Sequence, residues 1–527
     1  MTMDTQRRAP VDLPSPFGNN NIEREPLWYA FATGDDEPPV PPWVWATEPP
    51  MTAHVHPPAP EVVCDGARTA LPLGTTELLE AAPYPKGRPA RVAHGRVAGT
   101  DDRLGHALTA AFGVQWFDPD NAYNPHRGYA SPRCLYPVQA FLRSAGRWRL
   151  LAPELHSLID LDVPPSDRSG TSAEHRLALL GRYTRIPRGY KWFRGSLVNL
   201  ELGFVLRSLA LGLELFGLTG HVRLPGANAV HLLAELGLEP AGDWSLPLIV
   251  DVGEGADGPD PVPAVRRAGA APGARRKNAM PGVPSADASL VELVRVNRAQ
   301  SFAEPPAELG PAAPPGARPS AKAASWAELI WQRNSGRMPR GLLGMSGRRR
   351  QVQADTLHDA IDWLGVPPPG ATLRAVFDAI DVTVVVQAVD GYPDGIYRIR
   401  DGRAVLWTED PRTAARIEQE YGYPLSPGAG CDIRHASTLW FLSVRPRELV
   451  DAFGPAGWSA LQYVCGWAMH GLCLSSTASG MFARPVRAFN EIPLQALLGL
   501  GTDHMIALAA VVGTPRHPTG ALLDIRL

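Results

Sequence analysis

The chain has 527 residues, and 51 basic against 53 acidic side chains leave a formal net charge of −2. No basic field is present for nucleic acid or for an anionic membrane surface. The length exceeds what one core supports and sets an expectation of about three domains at roughly 150 residues each. Hydrophobic residues make up 45% and charged residues 20%, the balance of a mostly globular chain, while 54 prolines and 51 glycines call for linkers. The five cysteines, Cys64, Cys134, Cys431, Cys465 and Cys473, are widely spaced and form no CxxC, so neither a zinc site nor a disulfide framework is expected. The opening MTMDTQRRAPVDLPSPFG lacks the apolar stretch of a signal peptide. With no run of about 18 apolar residues, no membrane span is expected, and a reducing cytoplasm is the expected compartment.

In chain order, residues 1–75 form a Pro-rich arm with Trp28, Tyr29, Phe31, Trp43 and Trp45 interleaved. It reads either as a disordered tail or as an arm whose aromatics dock on the body. Residues 76–255 read as a first unit. A helix from Leu104 to Phe112 precedes a strand from Val138 to Leu142, and Ala145-Gly146 turns the chain into Arg147–Leu151. A long helix follows from about Ser196 to Phe216, with Leu197, Leu200, Val205, Leu209 and Leu213 near helical spacing and Gly217 as its stop. The strand Leu246–Val250 closes the unit. Residues 256–320, rich in Pro, Ala and Gly, read as a linker or surface excursion with one helical patch, Leu290–Val296.

Residues 321–527 repeat the plan. Helices at 325–334 and Thr356–Leu364 precede the strand Val382–Val386. A hairpin turns at Asp401-Gly402, the preferred dipeptide for a two-residue turn. A long helix covers Trp458–Leu474, and the strand Met505–Val512 closes the unit at Gly513. The helix at 325–334 opens with a capping box, Ser325 with Glu328 three residues on. It runs into Arg333-Asn334-Ser335-Gly336-Arg337. Two arginines, a hydroxyl and an amide where a chain leaves a helix suit a phosphate, because guanidinium forks bind its oxygens bidentately. A plain solvated basic helix end reads the same way.

In the order of these motifs the chain resembles the nitroreductase superfamily, and within it the SagB/McbC-type azoline dehydrogenases. RNSGR (333–337) resembles the family's flavin-phosphate motif, and AVDGYPDGIYRI (388–399) its hairpin. GWAMHGLCLSSTASGMF (466–482) resembles the long helix and the loop behind the flavin, and ALAAVVGTPR (507–516) the closing strand. In the first half YASPRCLYPVQAFL (129–142) resembles the Ser-rich segment, and YTRIPRGYKWFRGSLVNLELGFVLRSLALGLELFG (183–217) the Lys-Tyr stretch with its helix.

The fold this resemblance implies is α+β: two nitroreductase-like domains in tandem, each a mostly antiparallel sheet flanked by helices, packed as a pseudo-dimer. The implied cofactor is FMN. Arg333, Arg337 and Arg516 would neutralise its phosphate, and Asn334 and Ser335 would donate to it or to the ring. Ser131 would stand near the ring edge, and the loop Thr477-Ala478-Ser479-Gly480 would present backbone N–H groups. Lys191 is the candidate base. Tyr190 precedes it and Trp192 stands where the family has a tyrosine. A lysine base needs its pKa lowered by burial or by neighbours such as Arg188 and Arg194. His470 reads as a buried, hydrogen-bonded histidine rather than a ligand, and no metal site is expected.

The departures are one-sided. The first half has only RPARVAHGR (88–96) in place of a phosphate motif, and the second has a degenerate PPPGATLRAVF (367–377) in place of the Ser-rich segment. One composite flavin site and one degenerate site are therefore expected. The implied activity is oxidation of peptide azolines to azoles, with a peptide substrate and other peptide-maturation enzymes as candidate partners. Oligomeric state stays open. The rival readings are an NAD(P)H-dependent flavin reductase or ene-reductase, another FMN dehydrogenase of small or carrier-bound substrates, and a non-catalytic peptide-binding scaffold.

Overall fold

The computed structural model describes residues 66–87, 100–119, 124–163, 175–187, 190, 193–240, 242–254, 287–320, 322–336, 349–420, 433–487, 489, 491–515 and 522–527. The Pro-rich arm ahead of residue 66 lies outside them.

The first half contributes ten strands: β1 (Arg68–Ala70), β2 (Val114–Phe117), β3 (His126–Arg127), β4 (Val138–Ser144), β5 (Arg147–Ala152), β6 (Ser157–Asp160), β7 (His175–Gly181), β8 (Leu218–Arg223), β9 (Leu248–Glu254) and β10 (Ala307–Glu308). Its helices are α1 (Thr75–Glu80), α2 (Thr100–Phe112), α3 (Phe193–Leu215), α4 (Ala229–Glu235) and α5 (Ala288–Arg298). The second half adds β11 (Asp381–Val386), β12 (Gly395–Arg400), β13 (Arg403–Glu409), β14 (Thr438–Val444), β15 (Phe482–Val486), β16 (Met505–Gly513) and β17 (Leu523–Asp524). Its helices are α6 (Trp326–Gln332), α7 (Ala354–Leu364), α8 (Ala371–Asp378), α9 (Thr413–Gln419), α10 (Pro446–Phe453), α11 (Gly457–Ala478) and α12 (Glu491–Leu497).

The two large sheets have one topology. The first runs β1-β6-β5-β4-β7-β9-β8-β10 and the second β13-β12-β11-β14-β16-β15. The second matches the middle six strands of the first, position for position, and the strand pairs are antiparallel. The duplicated plan read from the sequence is thus a duplicated fold, α+β with tandem halves. The turn at Asp401-Gly402 has positive φ at both residues (50° and 69°), the geometry that twists a two-residue hairpin correctly.

Each sheet buries both faces, which explains its unbroken apolar strands. Leu177 and Leu179 point into a core shared by the two halves, whereas Ala178 and Leu180 point into a smaller core of the first half alone. Val384 and Val386 likewise enter the shared core, and Val385 enters the second half's own. Period-two alternation sends neighbours to opposite faces.

The shared core is built on α3 and α11, the two long helices, which pack on one another. They touch through backbone. A Cβ added at Gly203 would lie 2.1 Å from the Tyr463 carbonyl oxygen, and one added at Gly466 would lie 2.0 Å from that of Leu200. The contact is reciprocal, because each glycine faces the carbonyl three residues before the other. It marks a pseudo-twofold axis that carries Glu201 onto Val464 and Arg207 onto His470. Helix α3 is long and apolar enough to cross a membrane, which differs from the expectation above, yet 94% of that stretch is buried inside the protein. Its charged residues Glu201 and Arg207 are buried too. The Arg207 guanidinium donates to the carbonyls of Ala312 (3.0 Å), Trp467 (2.9 Å) and Trp363 (2.8 Å), and burial pulls its pKa down to about 9.

The halves also exchange edges. Tyr84 N donates to Ala324 O (3.0 Å), and Trp326 N donates to Ala82 O (3.1 Å). The last strand, β17, pairs with β2 of the first half. Residues 255–286 lie outside the described ones, and of the two readings of this stretch 287–320 follow the surface excursion. Leu290, Leu293 and Val296 of α5 are buried, and the chain beyond is strapped to the second half. Glu304 accepts from Thr372 N (2.8 Å), and the Ser320 hydroxyl donates to Ala478 O. Proline content there reflects an extended strap laid on the body, not a free spacer.

Gly203→Ala is expected to destabilise the chain by about 1–3 kcal/mol through overpacking, although alanine is the better helix former by about 1 kcal/mol. Urea unfolding followed by tryptophan fluorescence checks this. The loss in Gly203→Ala/Gly466→Ala should fall short of the sum of the single losses, because both probe one crossing.

Candidate functional site

The segment from Gly128 to Pro137, just before β4, is tightly constrained. Ser131 precedes a single turn of 3-10 helix, Pro132–Cys134. Arg133, Cys134 and Tyr136 then adopt positive φ (51°, 53° and 46°), and none is glycine. Each such residue costs on the order of 1–3 kcal/mol and persists only where the surroundings over-determine it.

Here they do. The Ser131 hydroxyl accepts from Tyr136 N (2.9 Å) and donates to the Glu201 carboxylate, which also accepts from Val138 N (3.1 Å). Arg185 donates twice to Leu135 O, from Nε at 3.1 Å and Nη2 at 2.9 Å. The Tyr136 hydroxyl accepts from Arg127 N (2.9 Å), and the Arg127 guanidinium lies 4.4 Å over the Tyr136 ring. Arg127 also donates to Tyr129 (3.2 Å) and pairs with Glu154.

The second half meets this loop through Arg333, the residue that ends α6. Arg333 is 3% exposed, and its guanidinium donates to Arg127 O (3.2 Å) and to the Ser335 hydroxyl (3.2 Å). The Arg333 charge reaches the Cys134 thiol and the Tyr136 hydroxyl. Burial pushes Cys134 up to about 11 and Tyr136 well above its usual range, and Arg333 offsets part of each shift. No carboxylate among the described residues forms an ion pair with Arg333, and its Nε is buried without a hydrogen-bond partner. A buried guanidinium left this way calls for an anion. The neighbouring Asn334 side chain donates to Gln332 O (2.9 Å) and accepts from Gly336 N (3.0 Å), folding the chain over Arg333.

Of the residues expected at the site, Ser131 and Arg333-Asn334-Ser335 are brought to one seam between the halves. Tyr190 joins them: Arg133 lies 5.0 Å over its ring, and Phe193 stacks on it at 6.3 Å. Arg337, Arg516 and Lys191 lie outside the described residues, as do Arg188 and Trp192. The Ser131 hydroxyl is taken up by Tyr136 N and by Glu201 of α3. One expectation needs correction: the loop Thr477–Gly480 presents no free amides, because Ser479 N bonds to Ser475 O (3.1 Å), Gly480 N to Thr477 O (2.8 Å) and Met481 N to Ser476 O (2.8 Å). This is a helix end closed by Gly480 in the left-handed region (φ 71°), and the Thr477 hydroxyl bonds back to Cys473 O (2.8 Å). Arg194 is answered by Asp287 through two bonds of 3.1 Å. His470 is buried as expected and held well below its usual pKa by burial, but its Nδ1 lacks a hydrogen-bond partner.

Arg127, Tyr129, Tyr136, Arg185 and Glu201 were missed. Glu201 had a signal, a carboxylate in the middle of an apolar helix. Burial pushes it up to about 7, and the bonds from Ser131 and Val138 oppose that shift. Its partner across the pseudo-twofold is Val464, which cannot hold a loop by hydrogen bonds. The corresponding stretch before β11 is instead helix α8. Among the described residues, a strained loop anchored on a buried carboxylate is present in the first half and not at the matching place in the second.

No protein-family model matches this sequence, and no curated protein does. Among solved structures, a protein assigned as a nitroreductase from Anabaena variabilis superposes with a TM-score of 0.60 at 16% identity, covering 87% of this chain and 94% of its own. A nitroreductase with bound FMN from Bacteroides fragilis is 18% identical over 38% of this chain and 92% of its own, with a TM-score of 0.24. The E. coli microcin synthetase McbBCD complex with truncated pro-MccB17 is 10% identical over 31% of this chain and 65% of that chain, with a TM-score of 0.27. The Anabaena likeness spans both halves, and the chain has the tandem nitroreductase fold.

Folded Glu201 keeps its proton up to about pH 7, whereas the unfolded carboxyl loses it near 4.5. The folded state therefore binds more protons, and stability falls as pH rises through that window, by up to about 3 kcal/mol. Urea unfolding at pH 5 and pH 8 should show this loss in the wild type and a smaller one in Glu201→Gln.

Proposed function

We propose that the chain is an FMN-dependent oxidoreductase of a peptide-tailoring pathway, dehydrogenating peptide azolines (thiazoline or oxazoline) to azoles. The observation that carries the cofactor class is the seam itself. A strained loop from one half meets Arg333 from the other, a buried cation with no carboxylate partner among the described residues. A phosphate would supply the missing anion. Arg333 and Ser335 would hold it, with Arg337 and Arg516 as further cations and Asn334 shaping the turn. FMN, when bound, would accept the hydride that leaves the azoline ring.

The ring proton needs a base, and Lys191 is our assignment, with Tyr190 beside the Ser131 loop as its neighbour. The strained loop would form the wall facing the phosphate grip, fixed by Glu201 rather than by free hydroxyls. The choice of a peptide azoline rests on the motif resemblance to SagB/McbC-type dehydrogenases, not on the geometry.

Purified protein titrated with FMN should bind one flavin per chain, and two per chain would sink the single-site reading. Protein that takes up no flavin would favour a scaffold. Arg333→Ala should weaken FMN binding by about 1.5–3 kcal/mol, roughly 10- to 150-fold, and Ser335→Ala by less. Given an azoline peptide and oxygen, the holoenzyme should form azole without NAD(P)H. Rapid NAD(P)H oxidation with no azole would instead support a reductase. Lys191→Ala should retain FMN and lose turnover.

A further inference from the structure

The three-stranded sheet β17-β2-β3 mixes the halves, with β17 from the second and the other two strands from the first. Strand β17 pairs antiparallel with β2, Leu523 against Phe117 and Asp524 against Trp116, and Ile525 N extends the pairing by donating to Gln115 O (3.1 Å). Strand β2 pairs in turn with β3, Trp116 against His126. All three strands converge on Trp331–Arg333, where α6 ends. From β2, the Trp116 indole donates from Nε1 to Trp331 O (2.9 Å). From the residues just after β17, the Arg526 guanidinium lies 5.2 Å over the Trp331 ring. From β3, Arg127 O accepts from the Arg333 guanidinium (3.2 Å). Each grip is itself braced. The Trp116 ring stacks on His126 at 3.7 Å, and Arg526 stands between Asp524 (2.7 Å) and Glu80 of α1 (3.7 Å).

The end of α6 needs this restraint. Arg333 N meets Ile330 O only at 3.4 Å, longer than an ordinary backbone bond, and its ψ of 120° has already left the helix. The helix's own bonds therefore hold Arg333 weakly. A guanidinium without a carboxylate partner gains by turning out to water unless the chain that carries it is fixed. We propose that Trp116 and Arg526 are positioning residues for Arg333: by holding the carbonyl and the ring of Trp331, they keep the cation at the seam. The proposal rests on the reading that Arg333 grips the phosphate of FMN. A binding group is only as well placed as the residues that lock it, so flavin affinity should depend on a sheet that lies behind the grip.

FMN titration of the full chain, with phosphorus NMR of the bound flavin, tests this. Trp116→Phe keeps a ring against His126 and removes the N–H donor. It should weaken FMN binding about 3- to 10-fold, the scale of one hydrogen bond. Arg526→Ala should weaken it by about the same factor, and Arg526→Lys, which restores a cation over the ring, should recover most of the loss. In both weakened variants the phosphorus resonance should move towards that of free FMN. Leu523→Ala, at an exposed position of the same strand, should bind FMN as the wild type does. Hydrogen exchange of the apoprotein, followed by mass spectrometry, reads the effect without flavin. Amides of residues 331–336 should exchange faster in Trp116→Phe and Arg526→Ala, and not in Leu523→Ala. Variants that bind FMN with wild-type affinity and an unmoved phosphorus resonance overturn the proposal. If the wild type takes up no FMN, the phosphate reading fails instead, and exchange decides the positioning role: unchanged protection at 331–336 overturns it, and faster exchange upholds it.

Discussion

At the centre of the molecule two helices cross at a glycine from each. Gly203 and Gly466 let α3 and α11 approach until carbonyl oxygen faces Cα, and no Cβ fits there unless the backbone shifts. That contact fixes where each half's sheet stands relative to the other, so it also fixes which loops meet at the seam. Arg207 ties the same place to the strap and to α7 by three bonds to carbonyls. Charged hydrogen bonds give roughly 1.5–3 kcal/mol each, and stripping water from the guanidinium costs several kcal/mol. The net stability is small, and what Arg207 supplies is a single allowed arrangement.

The seam turns this symmetric frame into an asymmetric site. Three non-glycine residues are held at positive φ because the residues between and beside them are pinned. Glu201 on α3 accepts from the Ser131 hydroxyl and Val138 N, Arg185 after β7 donates to Leu135 O, and Arg127 N on β3 donates to the Tyr136 hydroxyl. Across the axis Val464 offers no such anchor, and α8 replaces the loop. The cation that meets the strained loop comes from the half that lacks such a loop.

Much of the frame was legible in the sequence. The long helices announced themselves by apolar spacing, the hairpin at Asp401-Gly402 by its dipeptide, and the duplication by the repeated order of elements. Strands such as β7 and β14, buried on both faces, carry no alternation and were passed over. The strap at 287–320 was read as a linker or surface excursion, because its prolines are equally at home in a spacer and in extended chain laid on a surface. At the site, Arg333 and Ser131 were recognisable by motif, but what they bond to was not. Ser131 finds Glu201, and Arg333 finds Arg127, across long sequence separations that leave no periodic trace. The amides near Gly480 looked available because a helix end closed on itself and one open to a ligand share a glycine signature.

The valine at position 464 has a wider meaning. In a dimer of identical subunits every substitution appears on both sides of the axis, so a residue that serves one site must be tolerated at the other. Joining the halves in one gene product lifts that rule. Each position can then drift or specialise without its twin, and the side that has lost its loop becomes free to acquire a different task while remaining half of the scaffold.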